Sequence, residues 1–267
     1  MPSKTVISVQ SRENAKFKAL VDLIHSSRER RKRQQTFIEG IHLCAAYRQR
    51  FGPPDLIVVT ENAMAHPQVQ PLLVAGSVTV LQLTLALFRE LSQVQHGIGI
   101  AYVIATPHDP LPERITATAV YLDRVQDPGN VGTILRNCAA AGVKHVFASP
   151  GTAFCWAPKV VRAAMGAHFL VDIHEGVAWP QLAPRLAIRT VSTALVASQS
   201  IWQCDLRAPC LWLFGNEGTG LSEVIFAQVD ATVTVPIAPM VESLNVAAAV
   251  AVCLFEQRRQ QLAAKAS

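Results

Sequence analysis

The sequence predicts an α/β protein whose carboxyl-terminal part is built on a mainly parallel sheet. Short apolar runs, typical of strands buried on both faces, alternate with segments of helical periodicity. Three such runs in the second half are Ala119–Asp123, Thr190–Val196 and Leu211–Phe214. Polar or glycine-rich loops follow these runs directly. Ligands of parallel sheets bind at the carboxyl ends of strands, so we expect the functional residues in those loops.

Composition narrows the class of protein. The chain has 267 residues, half of them hydrophobic and 16% charged. This length and composition predict two domains or one large one, a large core, and enough apolar surface for an oligomer. No run reaches the roughly 18 apolar residues of a membrane span, and no apolar leader region is visible. The six cysteines form no CxxC and the eight histidines no HExxH, so we expect reduced thiols, a cytoplasmic location and no metal.

The chain divides into two predicted domains. Residues 1–105 alternate helical and strand-like segments, among them a helix over Lys16–Ile24 and a buried-type strand over Leu56–Thr60. Residues 106–116 contain three prolines and read as a stiff linker. Residues 117–267 carry the parallel-sheet pattern and form the second domain.

Basic charge is concentrated at the amino-terminal end. Residues 1–50 hold 11 Lys and Arg against 4 Asp and Glu, whereas the remainder holds 13 against 15. The densest segment is Arg28-Glu-Arg-Arg-Lys-Arg33. A solvated helix end is the ordinary interpretation of such a run, but its confinement to one end favours a polyanion-binding face. The candidate residues are Arg28, Arg30, Arg31, Lys32 and Arg33.

A first candidate site follows the strand Ala119–Asp123. Turn residues at 127–129 lead to Asn130 at the start of a helix over Val131–Ala141, which Gly142 ends. Arg136 lies in this helix among apolar neighbours. A helix cap and a solvated arginine would account for both residues, but a guanidinium in that setting favours a specific anion.

A second candidate site is the loop Gly215-Asn-Glu-Gly-Thr-Gly220, which follows a strand. It lacks the GxGxxG pattern and the lysine of a Walker A loop. Its three glycines permit close approach of the backbone to a ligand. Glu217 in the middle argues against a phosphate and favours a cationic or hydroxyl-bearing ligand.

A third candidate site precedes the last helix. The strand Ala231–Val235 ends at Pro236, and Pro239 delays the helix. Ser243 is expected near the N-cap of a helix that opens with ten apolar residues, Val246–Phe255. Because this run is apolar on every face, we expect it to be buried. Ser243 and Asn245, two polar residues just before this apolar helix, suggest a functional site there.

Together these motifs resemble the SpoU (TrmH-type) family of RNA ribose 2′-O-methyltransferases, within the SPOUT superfamily. Residues 117–260 are similar to the catalytic domain through Asn130 with Arg136, the glycine loop, and Ser243-Leu-Asn-Val. Val161–Phe169 also resembles the family. The amino-terminal part, with Phe37-Ile-Glu-Gly40, is similar to an L30e-like RNA-binding domain. Pro239 departs from the family pattern, which commonly has glycine there.

The resemblance implies a trefoil knot at the carboxyl-terminal end, a homodimer and bound S-adenosylmethionine. The implied cofactor-binding residues are Thr193, Gly215, Asn216, Gly218, Val235, Ile237, Met240 and Leu244. The implied catalytic residues are Asn130, Arg136, Glu217, Ser243 and Asn245.

The roles of the catalytic residues follow from their chemistry. A guanidinium is a poor base at neutral pH, so we assign Arg136 to electrostatic stabilisation of the alkoxide or to gripping a phosphate. We expect Glu217 either to hold the active loop or to pair with Arg136. We expect Ser243 and Asn245 to orient either Arg136 or the ribose.

The implied substrate is structured RNA. We take 23S ribosomal RNA first and tRNA as the alternative, on family analogy. A non-catalytic RNA-binding protein of the same fold and a nucleotide-binding enzyme are the competing hypotheses.

Overall fold

The computed structural model describes residues 5–73, 78–94, 97–195, 197 and 199–266. The chain divides into two compact units. The first comprises the described residues up to Pro107 together with Trp156–Arg162. The second comprises His108–Cys155 and the residues from Ala163 onward.

The first unit is built on a five-stranded sheet with helices. Its strands are β1 (Val6–Val9), β2 (Gln35–Glu39), β3 (Leu56–Thr60), β4 (Thr79–Leu83) and β5 (Ile100–Ala105). Its helices are α1 (Ala15–His25), α2 (Ser27–Arg33), α3 (Ile41–Phe51), α4 (Glu61–Met64), α5 (Gln70–Leu73) and α6 (Leu85–Leu91). The strand order is β1-β4-β3-β5-β2, with β5 antiparallel to both neighbours. Apolar residues of α1, α6 and the central strands form one core.

The basic segment forms α2, and the structure corrects part of its predicted role. Arg30 is only 6% exposed, and its Nη1 donates to the carbonyl oxygens of Leu23 and Ile24 at the end of α1. Arg33 donates to Glu29 and to the Ala19 carbonyl. Cations stabilise the free carbonyls of a helix end, so Arg30 ties the end of α1 to α2. Arg33 adds a contact to the middle of α1. Assigning Arg30 to RNA binding was therefore wrong, because its guanidinium is buried.

The second unit contains a seven-stranded sheet in which every pairing is parallel. Its strands are β6 (Ala119–Leu122), β7 (His145–Ala148), β8 (Asp172–Glu175), β9 (Arg189–Thr193), β10 (Gln199–Ser200), β11 (Cys210–Phe214) and β12 (Ala231–Thr234). The strand order is β10-β12-β9-β11-β6-β7-β8. The predicted α/β class and the parallel sheet are confirmed. Val196, which we expected in the strand that became β9, lies outside the described residues.

The helices of the second unit are α7 (Pro128–Ala141), α9 (Trp179–Leu182), α10 (Glu223–Phe226) and α11 (Val246–Ala266). The helix α8 (Pro158–Ala164) belongs to the first unit up to Arg162 and to the second from Ala163. The helix α7 begins three residues earlier than predicted. Asp127 is its N-cap, accepting from the amide of Asn130 at 2.8 Å, and Pro128 occupies the first turn. The expected turn is thus a helix start, since Pro at this position costs no hydrogen bond. Gly142 ends the helix with φ 80°, as predicted.

The last helix, α11, differs from the prediction in its cap and its burial. Asn245, not Ser243, is the cap: its Oδ1 accepts from the amides of Ala247 and Ala248 at 2.9 and 3.3 Å. The apolar run is not buried on every face, because Phe255 is 45% exposed. Two polar residues of the helix are buried instead. One of them, Gln257, accepts from the indole Nε1 of Trp212 at 2.8 Å.

Two further expectations concern the whole chain. None of the helices in the described part of the chain is long and apolar enough to cross a bilayer. All six cysteines are buried free thiols. The knot implied by the family resemblance stays a prediction.

His168 gives the second unit a pH-dependent stability. Its Nε2 lies 2.7 Å from the carbonyl oxygen of Cys155 and donates to it, and burial lowers the pKa of this histidine to about 4. The unfolded chain, with an ordinary pKa near 6.5, takes up the proton first as pH falls. The stabilisation is therefore complete above pH ~6.5 and is lost as pH falls toward ~4, up to about 2–3 kcal/mol.

We expect the free energy of unfolding of His168→Gln to fall less between neutral and acidic pH than that of the wild type, by about 2–3 kcal/mol. The measurement is the free energy of unfolding from urea titrations between pH 7 and 4.5. Other histidines are unchanged in both proteins, so the difference isolates His168. If the free energy of unfolding changed equally with pH in the variant and the wild type, His168 would not be the source of the pH dependence.

Candidate functional site

A cavity of about 500 Å³ opens at the carboxyl edge of the parallel sheet. It is lined by the residues that follow β9, β11 and β12 and by those that lead into α11. Six of the eight predicted cofactor-binding residues line it: Thr193, Gly215, Asn216, Val235, Ile237 and Leu244. Gly218 and Met240 lie outside the lining, and Met240 is 95% exposed. Glu217, Ser243 and Asn245 of the predicted catalytic set also line the cavity.

A chain of hydrogen bonds joins three of the predicted catalytic residues. The Nδ2 of Asn245 donates to Oδ1 of Asn130 at 2.8 Å. The Nδ2 of Asn130 in turn donates to Oε1 of Glu217 at 3.0 Å. Segments 115 and 87 residues apart in the chain are thereby held together at the cavity mouth.

Glu217 also fixes the loop that precedes α7. Its two oxygens accept from the backbone amides of Gln126 and Asp127, both at 3.2 Å. Burial alone raises the pKa of Glu217, but hydrogen bonds from Asn130 and from backbone amides outweigh it, so the pKa is lowered. The carboxylate stays ionised at neutral pH and holds the loop, which is one of the two roles that the sequence left open.

The glycine loop owes its shape to its own packing. The backbones of Asn216 and Gly220 exchange two hydrogen bonds of 3.0 and 2.9 Å. A Cβ on Gly215 would lie 2.1 Å from the carbonyl carbon of Gly220, closer than atoms can approach. We expected the glycines to admit a ligand, but Gly215 is required by the closure of the loop itself.

Arg136 does not join the hydrogen-bonded set. A spacing of six residues places it about 120° around α7 from Asn130. It is exposed, and it makes no hydrogen bond or ion pair with any residue that the structure describes. Its predicted pairing with Glu217 is absent because the Glu217 oxygens face the loop before α7.

Asp123 lies at this edge of the sheet, and sequence analysis assigned it no role. It is 3% exposed, and its Oδ2 accepts from the Ser222 amide at 2.8 Å. Its Oδ1 accepts from Nε of Arg124 at 3.3 Å and from Oγ of Ser149 at 3.5 Å. One buried carboxylate thus ties together the loops after β6, β7 and β11. The sequence contained one signal that could have identified Asp123, namely an acidic residue at the very end of an apolar strand.

Comparisons with known proteins identify the family of this chain. The family model described as the SpoU rRNA Methylase family matches residues 117–255. The chain is 31% identical over 266 residues to an uncharacterized tRNA/rRNA methyltransferase, slr1673, of Synechocystis, covering 97% of this chain and 96% of that one. It is 30% identical to the 23S rRNA (guanosine-2′-O-)-methyltransferase RlmB of Vibrio parahaemolyticus, covering 86% and 98%.

A solved structure is similar over most of the chain. The AdoMet-bound rRNA methyltransferase from Sinorhizobium meliloti superposes with a TM-score of 0.84 at 26% identity, covering 95% of this chain and 98% of that one. The region that the family model matches, residues 117–255, contains Asn130, Arg136, the glycine loop and Asn245. The chain therefore belongs to the SpoU rRNA methylase family.

Proposed function

We propose that this protein transfers a methyl group from S-adenosylmethionine to a ribose 2′-hydroxyl of ribosomal RNA, with 23S rRNA as the substrate. The observation that carries the proposal is the Asn245–Asn130–Glu217 hydrogen-bond chain at the mouth of the cavity. Relatives named as 23S rRNA 2′-O-methyltransferases support the substrate. The free, buried thiols are compatible with a reducing cytoplasm.

The cavity suits a cofactor of this size and polarity. About 500 Å³ falls in the usual range of small-molecule sites. Leu195, Ile237 and Leu244 supply apolar walls, and the loop backbones supply hydrogen-bonding groups. When bound, S-adenosylmethionine supplies the methyl group and a sulfonium leaving group. The ionised Glu217 at the rim favours a ligand that carries positive charge.

The residues of this chain would act by alignment and electrostatics. Asn130 and Asn245 are held in one orientation by their hydrogen bonds and can position a ribose hydroxyl. The exposed guanidinium of Arg136 can stabilise the developing alkoxide, since it keeps its charge throughout.

Two measurements test the proposal. Calorimetry with S-adenosylmethionine, ATP and NAD should show heat only for the first. Mapping of 2′-O-methyl groups in cells with and without the protein should show one or a few sites lost from 23S rRNA. Loss from tRNA would support the alternative substrate. Cofactor binding with no site lost from any RNA would instead indicate a non-catalytic RNA-binding protein.

A homodimer would complete the site. Arg136 is exposed away from Asn130, and α11 exposes Phe255 and Leu262 at 45% and 55%. An apolar face of this kind suits a second copy, and the isologous contact of a twofold dimer can bring Arg136 of one protomer to Asn130 of its partner.

A mixed dimer of Arg136→Ala and Glu217→Gln protomers should be more active than the homodimer of either variant. If each site combines Glu217 of one protomer with Arg136 of the other, the mixed dimer keeps one intact site and has one site with both changes. Its kcat should therefore reach about half the wild-type value. The measurement is methyl transfer by heterodimers isolated through two different affinity tags. Background activity in the heterodimer would place the whole site within one protomer.

The first unit, proposed as an L30e-like RNA-binding domain, would contribute backbone contacts to the RNA. Three exposed cations of the predicted basic set remain candidates for this role: Arg28, Arg31 and Lys32.

Reversing these three charges to glutamate should raise the Kd for 23S rRNA about tenfold at ~0.1 M salt, because phosphate contacts supply salt-dependent affinity. Affinity for S-adenosylmethionine should not change. Glutamate at Arg185, Arg207 and Lys265, a matched change in the second unit, serves as the control. Unchanged RNA binding in the first variant would remove α2 from the interface.

A further inference from the structure

Arg124 adopts a left-handed backbone conformation directly after β6, with φ 57°. This conformation is unfavourable for a residue that carries a side chain, whereas glycine adopts it without strain. Both of its backbone polar groups are engaged. Its amide donates to Oγ of Ser149, and its carbonyl oxygen accepts from Nδ2 of Asn216, both at 2.9 Å. The loops after β7 and β11 therefore hold the strained backbone in place.

The side chain of Arg124 is anchored at one end of its guanidinium. Its Nε donates to the buried carboxylate of Asp123 at 3.3 Å. Its stem lies over Gly151, where a Cβ would be 3.3 Å from the Arg124 Cγ. The side chain is still 42% exposed. Neither Nη group bonds to any residue in the described part of the chain.

A guanidinium fixed through Nε presents its two Nη groups as a fork. Such a fork matches the two free oxygens of a phosphate, and fixing it in advance reduces the entropy lost on binding. Arg124 stands at the carboxyl edge of the sheet, and Asn216, which bonds its carbonyl oxygen, lines the cavity. Strain retained at such a place is typical of functional residues.

We infer that Arg124 binds a backbone phosphate of the RNA close to the nucleotide that is methylated, with Asp123 as its positioning residue. The inference rests on the proposed function and adds a contact within the second unit, separate from the cations of α2. It also explains why an arginine occupies a position whose backbone favours glycine.

The test is the salt dependence of RNA binding by Arg124→Gln. With 23S rRNA transcribed in vitro, the Kd should rise about 3- to 10-fold at ~0.1 M salt, and the slope of log K against log salt should become shallower by about 0.7–0.9. Arg124→Lys keeps the charge and should keep most of the slope. Calorimetric affinity for S-adenosylmethionine should stay within about twofold in both.

Arg207→Gln is the matched control. Arg207 is also paired with an aspartate, Asp205, through Nε at 2.9 Å. It precedes β11, which runs parallel to β6, so it stands at the opposite edge of the sheet. Its replacement should leave the slope unchanged.

The outcomes separate this inference from the proposed function. A wild-type protein that methylates 23S rRNA, with an Arg124→Gln slope equal to its own, overturns the phosphate contact alone. An equal loss of cofactor and RNA affinity in Arg124→Gln assigns Arg124 a purely structural role and also overturns it. A wild type that neither binds nor methylates RNA overturns both.

Discussion

Replacement of Arg136 by lysine is expected to lower kcat by about 10²–10³-fold while leaving the Kd for RNA nearly unchanged. Lysine keeps the positive charge, and with it the long-range attraction to the RNA backbone. It loses the planar fork that can stabilise a developing alkoxide with two directed donors. In the described part of the chain, Arg136 has no partner to which it contributes stability, so the fold should be unaffected.

The measurement for this variant is single-turnover methyl transfer at saturating cofactor and RNA, with RNA affinity measured separately. Arg207→Lys, at the opposite edge of the sheet, is the control and should change kcat by less than about twofold. A rate for Arg136→Lys close to that of the wild type would show that Arg136 does not act in the chemical step.

Replacement of Glu217 by glutamine should lower kcat/KM by about 10- to 100-fold. The carboxylate accepts three hydrogen bonds, from Asn130 and from the amides of Gln126 and Asp127. A glutamine side chain has the same shape, but its NH₂ end cannot accept, so at least one donor loses its partner. A hydrogen bond to a charged group contributes about 1.5–3 kcal/mol, which corresponds to this range of rates.

The Glu217→Gln variant also distinguishes a role in positioning Asn130 from a role in holding the cofactor. If Glu217 only positions Asn130, the loss should fall on kcat, whereas a role in holding the cofactor should raise the Kd for S-adenosylmethionine. Glu223→Gln, which removes an exposed carboxylate at the start of α10, is the matched control. Glu217→Gln with wild-type kcat/KM would show that the hydrogen-bond chain is not needed for turnover.

Much of the site was predictable because its signals are local. Apolar runs and the turn and glycine residues that follow them identified the strands β6, β9 and β11. Parallel strands place the loops after their carboxyl ends on one edge, so the gathering of Glu217, Asn130 and Asn245 followed from their positions in the sequence. The hydrogen bonds at 2.8 and 3.0 Å confirm that these three residues meet.

Other features depended on partners that a local pattern does not reveal. The basic run predicted one cationic face, but Arg30 turns inward to the carbonyl oxygens that end α1. Ser243 and Asn245 are both good N-caps, and the start of α11 decides between them. Asp123 looked like the end of a strand, yet three loops bond to it.

The sequence by itself determined the α/β class, the positions of the strands and the family motifs, because these depend on side chains within a few residues of one another. The tertiary structure alone decided the strand order, the partners of Asp123 and Glu217, and the outward position of Arg136. Those features depend on contacts between residues about a hundred positions apart, whose geometry is set only when the whole sheet has formed.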